Sequence, residues 1–407
     1  MFILYSIFIR IYYSIIFILS FFNQKAKDWI VGRNNQLSFI KDKLPAWQNS
    51  PIIWIHTASY GEFEMSRPII EAIQNKNVNT RFIISFYSPS GYNHISLDEN
   101  YFLKIYLPLD LKANHRAIIG LIKPKAVIFI KYEFWFNFLR VLKSFGVPYY
   151  FTSLHLNENS YLLNPLFSTF KKQLLNASKI FCHNTLSLDI LRKNNFKNLA
   201  LFGDSRIEQV LINQSISSHN IKFNNDNQTI AFGSITEFET PYVIEFCNHY
   251  KTYNYIIATH DVSDQYLGNL ISKLDQDIQL YSNFKGSSSE AKIVLVDTYG
   301  DLRYLYKNAD LAYIGAGFEK GPHNILEPLV YGIPVCIGPN IKKFPMAQYL
   351  EKKELLKVIS QIKNMNEMIN YLKDLNKHDF AHKSQQLFNE NRTNIKELIS
   401  ELNLTNL

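Results

Sequence analysis

The 407-residue chain is poor in cysteine, and what it has forms no pattern. Cys182, Cys247 and Cys336 lie far apart, are odd in number and lack a CxxC partner. That suggests neither a disulfide framework nor a zinc site, and it fits reduced thiols in a cytosolic compartment. The eleven histidines include no HExxH, so no metal is expected. No GxGxxG separates a strand from a helix, which argues against a dinucleotide dehydrogenase. Charge is not gathered into blocks of one sign either: Lys plus Arg total 43 against 35 for Asp plus Glu, a net +8. No nucleic-acid motif accompanies that excess, so a basic face toward an anionic substrate or a membrane surface is the expectation, and nucleic acid is not an expected partner.

Apolar residues, by contrast, are abundant and begin at once. Met1 to Phe22, MFILYSIFIRIYYSIIFILSFF, is almost wholly apolar and aromatic, broken by Arg10 and succeeded by Lys25, Lys27 and Arg33. Its length suffices to span a bilayer. It lacks the charged start and small-residue cleavage site of a signal peptide. Arg10 is costly in hydrocarbon, which leaves three forms open: a helix lying in the interface, a short tilted span, or a buried helix of a soluble domain. The basic residues after it favour the cytoplasmic side for the remainder of the chain.

From Pro51 the chain alternates strands and helices, the mark of a doubly wound α/β sheet. Strands are expected at Ile52–His56, Arg81–Phe86, Ala126–Ile130, Val147–Thr152 and Lys179–Cys182, with a helix over Glu64–Gln74. A second set is expected at Thr229–Phe232, Tyr255–Ala258, Ile293–Val296, Leu311–Ile314 and Pro334–Ile337. At this length two cores are expected. The domain reading is an anchor at 1–22, a Rossmann-like domain at 23–210, a linker at 211–228, a second Rossmann-like domain at 229–365 and closing helices at 366–407. Two such halves facing a cleft, with a nucleotide-type loop in the second, suggest by analogy the GT-B architecture of glycosyltransferases.

Two stretches carry candidate chemistry. In Asp310 to Asn340 an apolar run breaks into a loop with Gly315, Gly317 and Gly321, and a helix then opens at His323-Asn324-Ile325-Leu326-Glu327. Asn324 and Glu327 have the spacing of a capping box. The same helix start can instead face a nucleotide phosphate while Glu327 takes ribose hydroxyls. In Trp54 to Pro68 a strand delivers Gly61 and Glu62 ahead of a helix. Glu62 either favours the helix terminus electrostatically or acts as a general base on a sugar hydroxyl.

HTASYGE ending at Glu62, KYEFWFNFL from Lys131, GDSRIE from Gly203, FGS from Phe232, VDTYGDLRYLY from Val296 and GPHNILEP from Gly321 together resemble the Kdo transferases. These are membrane-associated GT-B enzymes that move 3-deoxy-D-manno-octulosonic acid (Kdo) from CMP-Kdo onto the lipid A precursor. The resemblance implies Glu62 as proton acceptor, and Glu133 and Arg206 as stabilisers of the transition state. It implies Thr259, His260, Tyr299, Gly300, Asp301, Asn324, Ile325, Leu326 and Glu327 as CMP contacts. The chain departs from the family where a diglycine becomes Gly321-Pro322, a proline becomes Ile325, and a proline-basic pair becomes Thr259-His260. The implied partners are CMP-Kdo, the lipid A precursor and the inner membrane with the catalytic domains on its cytoplasmic face. No cofactor is implied. Two other readings stay open: a GT-B enzyme using a UDP- or GDP-sugar, and an inert membrane-tethered nucleotide-binding protein.

Overall fold

The strand runs that look apolar throughout, such as Ile52–His56, demand cover on both faces, and the fold supplies it. A computed structural model describes residues 1–47, 50–93, 95–216, 220–283 and 288–402. Residues 217–219 of the expected linker and 403–407 of the expected closing helices lie outside the described residues. The chain divides into two compact units, Met1–Gln209 with Arg392–Leu407, and Val210–Asn391. The division thus falls after Gln209, and of the closing stretch residues 366–391 belong to the second unit and those from Arg392 onward to the first.

The first unit is built on a parallel sheet of strands β1 (Ile52–Thr57), β2 (Arg81–Phe86), β3 (Phe102–Tyr106), β4 (Ala126–Ile130), β5 (Tyr149–Leu154), β6 (Lys179–Cys182) and β7 (Leu199–Leu201). Their order is β3-β2-β1-β4-β5-β6-β7, so the chain reverses direction between β1 and β4. Alternate residues of β1 enter two different cores. Trp54 packs with Phe129, Phe138 and Phe151 on one face, while Ile53 and Ile55 pack with Phe63 and Ile128 on the other. Trp54 is fully buried, and its truncation to alanine costs about 3–5 kcal/mol. The fifth strand starts at Tyr149 rather than Val147 because Pro148 has no N–H for the ladder. The helix after β1 runs Tyr60–Lys76, four residues earlier than Glu64, which brings Glu62 into its first turn.

The second unit repeats the plan. A two-residue pair, β8 (Lys222–Phe223) with β12 (Ser288–Ser289), stands apart from the main sheet. That sheet comprises β9 (Thr229–Ile235), β10 (Asn254–Thr259), β11 (Ile278–Leu280), β13 (Ile293–Leu295), β14 (Leu311–Ile314), β15 (Val335–Ile337) and β16 (Lys357–Val358). Its order is β11-β13-β10-β9-β14-β15-β16, and every pairing is parallel. Phe232, Tyr255, Tyr313 and Cys336 on neighbouring strands share one core. In both units the reversal between central strands opens a crevice at the carboxyl edge of the sheet, the place where such sheets bind ligands.

Candidate functional sites

Backbone strain marks these edges. Non-glycine residues with left-handed φ occur at Lys131 (62°) after β4, Ser153 (52°) in β5, Ser234 (55°) in β9 and Ala316 (67°) after β14. Each such conformation costs on the order of 1 kcal/mol or more and persists where the surroundings over-determine it.

In the first unit the ends of β1 and β4 assemble a carboxylate pair. Glu62 folds back so that its Oε2 accepts the Ala58 N–H at 2.5 Å. Burial raises its carboxyl above the usual range and the charge of Glu133 raises it further, against lowering by the Ala58 N–H, Lys131 and His56. Lys131 is itself pulled down by burial and by Arg206, with Glu62 and Asp204 opposing. Glu133 is fixed by a chain of donors reaching into the core. Trp54 Nε1 donates to Ser85 Oγ (2.7 Å), Ser85 Oγ lies 2.9 Å from His56 Nδ1, His56 Nε2 lies 3.0 Å from Glu133 Oε2, and Trp135 Nε1 donates to that same oxygen at 2.7 Å. With the proton on Nε2, the Ser85 hydroxyl donates to Nδ1 and His56 donates to the carboxylate, so each donor meets an acceptor.

Arg206, expected beside these residues, is held by Asp204 through Nε and Nη2, with Nε at 2.9 Å from Oδ2. Burial pushes the Asp204 carboxyl up, but Arg206 outweighs it and leaves Asp204 below its ordinary value. The arginine therefore presents an oriented guanidinium whose countercharge lies beneath it, while its own side chain stays 44% exposed.

In the second unit a cleft of about 750 Å³ lies at the ends of β9, β10 and β14, lined among others by Thr236, His260, Tyr266, Lys320, Gly321 and His323. Its floor is organised by Glu239, a fully buried carboxylate. One oxygen accepts the Tyr313 hydroxyl at 2.8 Å; the other accepts Ala316 N–H at 2.8 Å and the Thr236 N–H and hydroxyl at 3.1 Å each. This ties the loop after β9 to the loop after β14. The approach requires glycine at 315, where a Cβ would come 2.4 Å from the Ser234 carbonyl oxygen and 2.7 Å from Glu239 Oε2. The rings of His260 and His323 face each other at 5.4 Å. Crowding by protein, then the neighbouring His260, draws His323 below the ordinary histidine value.

The expected nucleotide contacts distribute unevenly. His260 lines the cleft, whereas Thr259 is buried and its hydroxyl donates to the Asp261 carbonyl at 2.6 Å. Ile325 and Leu326 are buried, which leaves them only backbone groups to offer. Asn324 Oδ1 accepts the Leu326 N–H at 3.2 Å and its amide donates to Glu327 Oε1 at 3.1 Å, so the helix-start pairing exists, over a helix of only Leu326–Leu329. Tyr299 is 79% exposed, Gly300 takes φ 86°, and Asp301 accepts the Thr298 hydroxyl at 2.7 Å. None of residues 299–301 or 324–327 lines the 750 Å³ cleft. Sequence reasoning passed over His56, Trp135, Glu239 and His323. Three of these lie inside the family-like motifs, as the first residue of HTASYGE, within KYEFWFNFL, and between Pro322 and Asn324.

The family model described as 3-Deoxy-D-manno-octulosonic-acid transferase (kdotransferase) matches residues 33–209. A 3-deoxy-D-manno-octulosonic acid transferase of Aquifex aeolicus is 26% identical over 339 residues, 79% of this chain and 85% of that one. A protein of the same name from Chlamydia muridarum is 25% identical over 369 residues, 85% of this chain and 81% of its own. In fold, the chain is similar to a UDP-GlcNAc 2-epimerase from Neisseria meningitidis, with a TM-score of 0.56 at 15% identity, covering 88% of this chain and 100% of that one. The fold class is therefore α/β with the two Rossmann-like domains of the GT-B architecture. The chain is similar to glycosyltransferases of the Kdo transferase family, whose model matches residues 33–209 and whose named relatives align over most of its length.

Proposed function

We propose that the chain transfers Kdo from CMP-Kdo to the lipid A precursor, with inversion, at the cytoplasmic face of the inner membrane. The observation that carries this reading is the desolvated Glu62 carboxyl just after β1, raised above its ordinary value beside a second carboxylate and Lys131. A base tuned in that direction suits removal of a proton from an alcohol.

In the proposed step Glu62 takes the proton of the acceptor's primary hydroxyl while that oxygen attacks the anomeric carbon of Kdo. The bond from that carbon to the phosphate oxygen breaks, and CMP leaves with the electron pair. Glu133, fixed by His56 and Trp135, and Arg206, oriented by Asp204, stabilise charge as it shifts. The second unit holds CMP, with His260 at its cleft and the backbone around Asn324 to Glu327 offering N–H groups. A monophosphate leaves with less charge than a diphosphate, so these groups suffice without a divalent ion. The names of the Aquifex and Chlamydia relatives support the sugar; the motif resemblance supports the nucleotide and the acceptor. The apolar helix Phe2–Leu19 is long enough to meet a membrane.

The test is direct. The enzyme is incubated with CMP-Kdo and a tetraacylated lipid A precursor in excess EDTA, and the product is weighed. A mass increase of one or more Kdo residues supports the reading. No increase, with or without magnesium, or transfer only from a UDP- or GDP-sugar, overturns it.

A further inference from the structure

The amino-terminal helix is attached to the first unit along a stripe. Arg140 stacks over the Phe2 ring at 3.9 Å. The Tyr5 hydroxyl donates to Asp110 Oδ2 at 2.6 Å, and Asn137 Nδ2 donates to Ser6 Oγ at 3.1 Å. Ile9 is buried, and the Tyr87 hydroxyl donates to that of Tyr12 at 2.7 Å. Positions 2, 5, 9 and 12 share one face of a helix, and they span about 15 Å of its axis. The opposite face is bare and apolar: Ile3, Leu4, Phe8 and Ile18 are 60–78% exposed.

A helix of 18 residues is about 27 Å long, barely the ~30 Å of a hydrocarbon layer. To cross it, the helix would have to surrender this stripe or drag the polar surface around Asp110 into lipid. Asp110 is buried and also accepts the N–H groups of Asn137 and Phe138, so removing Tyr5 leaves a buried carboxylate short of a donor. Lying flat costs neither. Arg10 on this helix and Lys25 and Lys27 on the next are exposed, a basic complement to an anionic headgroup layer.

We propose that this helix lies along an anionic lipid surface rather than across it, and that its inner stripe clamps the segment carrying Glu133. The clamp runs through two contacts. Asp110 ties Tyr5 to the start of the helix Phe136–Ser144, immediately after Trp135. Tyr87 ties Tyr12 to Trp135, whose ring lies 4.9 Å from that of Tyr87 and whose N–H holds Glu133. The helix is thus linked, through Tyr87 and Asp110, to the segment that carries Glu133. The inference rests on the proposed membrane location, and its readouts are independent of transfer.

The three native cysteines are buried, so a cysteine appended ahead of Met1 of the full chain is a specific reporter. With protein bound to vesicles of phosphatidylcholine and phosphatidylglycerol, a membrane-impermeant maleimide labels it as fully before detergent as after, matching a Lys396→Cys control on the exposed surface. Labelling of the appended cysteine only after detergent, with the control already labelled, overturns the flat orientation. Failure to float with these vesicles overturns it together with the membrane location, while flotation without transfer activity removes only the catalytic reading. For the clamp, Tyr5→Phe and Tyr12→Phe keep flotation but lower the thermal midpoint by several degrees; an unchanged midpoint in both overturns it.

Discussion

Glu133 raises the carboxyl of Glu62, and after burial it is the largest influence doing so. The two carboxylates are held by unlike devices, Glu62 by a backbone N–H at a helix start and Glu133 by two aromatic side-chain donors backed by a buried serine. The first is anchored through a single backbone donor, the second through side chains that reach into the core.

A Glu62→Gln enzyme loses transfer by about 10²–10⁴-fold, the usual contribution of a general base, while CMP-Kdo affinity stays within twofold. Its stability moves the other way. Because the folded state raises Glu62 above 4.5, the fold favours the protonated form. That contribution is present below pH 4.5 and is lost as pH rises through the folded value. Glutamine imitates the protonated form, so thermal midpoints coincide below pH 4.5 and the variant's is higher near neutrality. A lower midpoint for the variant at pH 7.5 contradicts the assignment.

Glu133→Gln keeps an oxygen for His56 and Trp135 but removes the charge that lifts Glu62. Transfer by this variant has an acid limb displaced to lower pH than in the parent, even where the maximal rate is reduced. A limb that stays put, measured as kcat/KM against pH, separates Glu62 from that limb.

Asp204 behaves with the opposite sign. Arg206 holds its carboxyl below 3.8 despite burial, so the pair contributes stability above that pH and loses it as pH falls through the folded value. Asp204→Asn lowers the thermal midpoint near neutrality, and the difference from the parent closes on acidification below about pH 4. Since Asp204 also aims Arg206, transfer falls at least tenfold while the Glu62-dependent limb remains.

Much of this was legible in the sequence, and the part that was not has a physical cause. Central strands such as β1, β4 and β14 are buried on both faces and read as unbroken apolar runs. Outer strands escape notice: Phe102–Tyr106 carries half-exposed Lys104 on its ladder, and Ile278–Leu280 is only partly buried. Glu62 stood out because it comes just after a strand and a glycine. Glu239 did not, because FGSITEFE offers no periodicity that distinguishes a carboxylate bonded to four donors from one facing water. His56 and His323 were inside motifs, but their partners Glu133 and His260 come from the loops after β4 and β10, 77 and 63 residues away along the chain, and such pairings are set by sheet order.

Gly315→Ala tests the junction that Glu239 maintains. The added Cβ would meet backbone and a buried carboxylate, neither of which can swing aside. Overpacking of this kind costs about 1–3 kcal/mol, read as a drop in thermal midpoint. The loops after β9 and β14 both line the cleft, so CMP-Kdo affinity falls with it. A fully stable variant with parental affinity shows that the two loops are not coupled through this contact.

The pair Thr259-His260 replaces the family's proline and basic residue, and the two side chains have parted company. Thr259 spends its hydroxyl on Asp261 and faces the core, while His260 lines the cleft and meets His323. His260→Ala therefore weakens CMP binding about tenfold, the equivalent of roughly 1.4 kcal/mol, whereas Thr259→Ser, which keeps the bond to Asp261, leaves it within twofold. A phosphate beside His323 favours its protonated form. CMP affinity of the parent accordingly rises as pH is lowered from 8 to 6, and His323→Ala flattens the rise. The sign comes from His323, which burial and then His260 draw below 6.5, so it must gain a proton to pair with the ligand. Titration of CMP by calorimetry at both pH values checks the sign, and an affinity that falls on acidification removes the histidine pair from phosphate recognition.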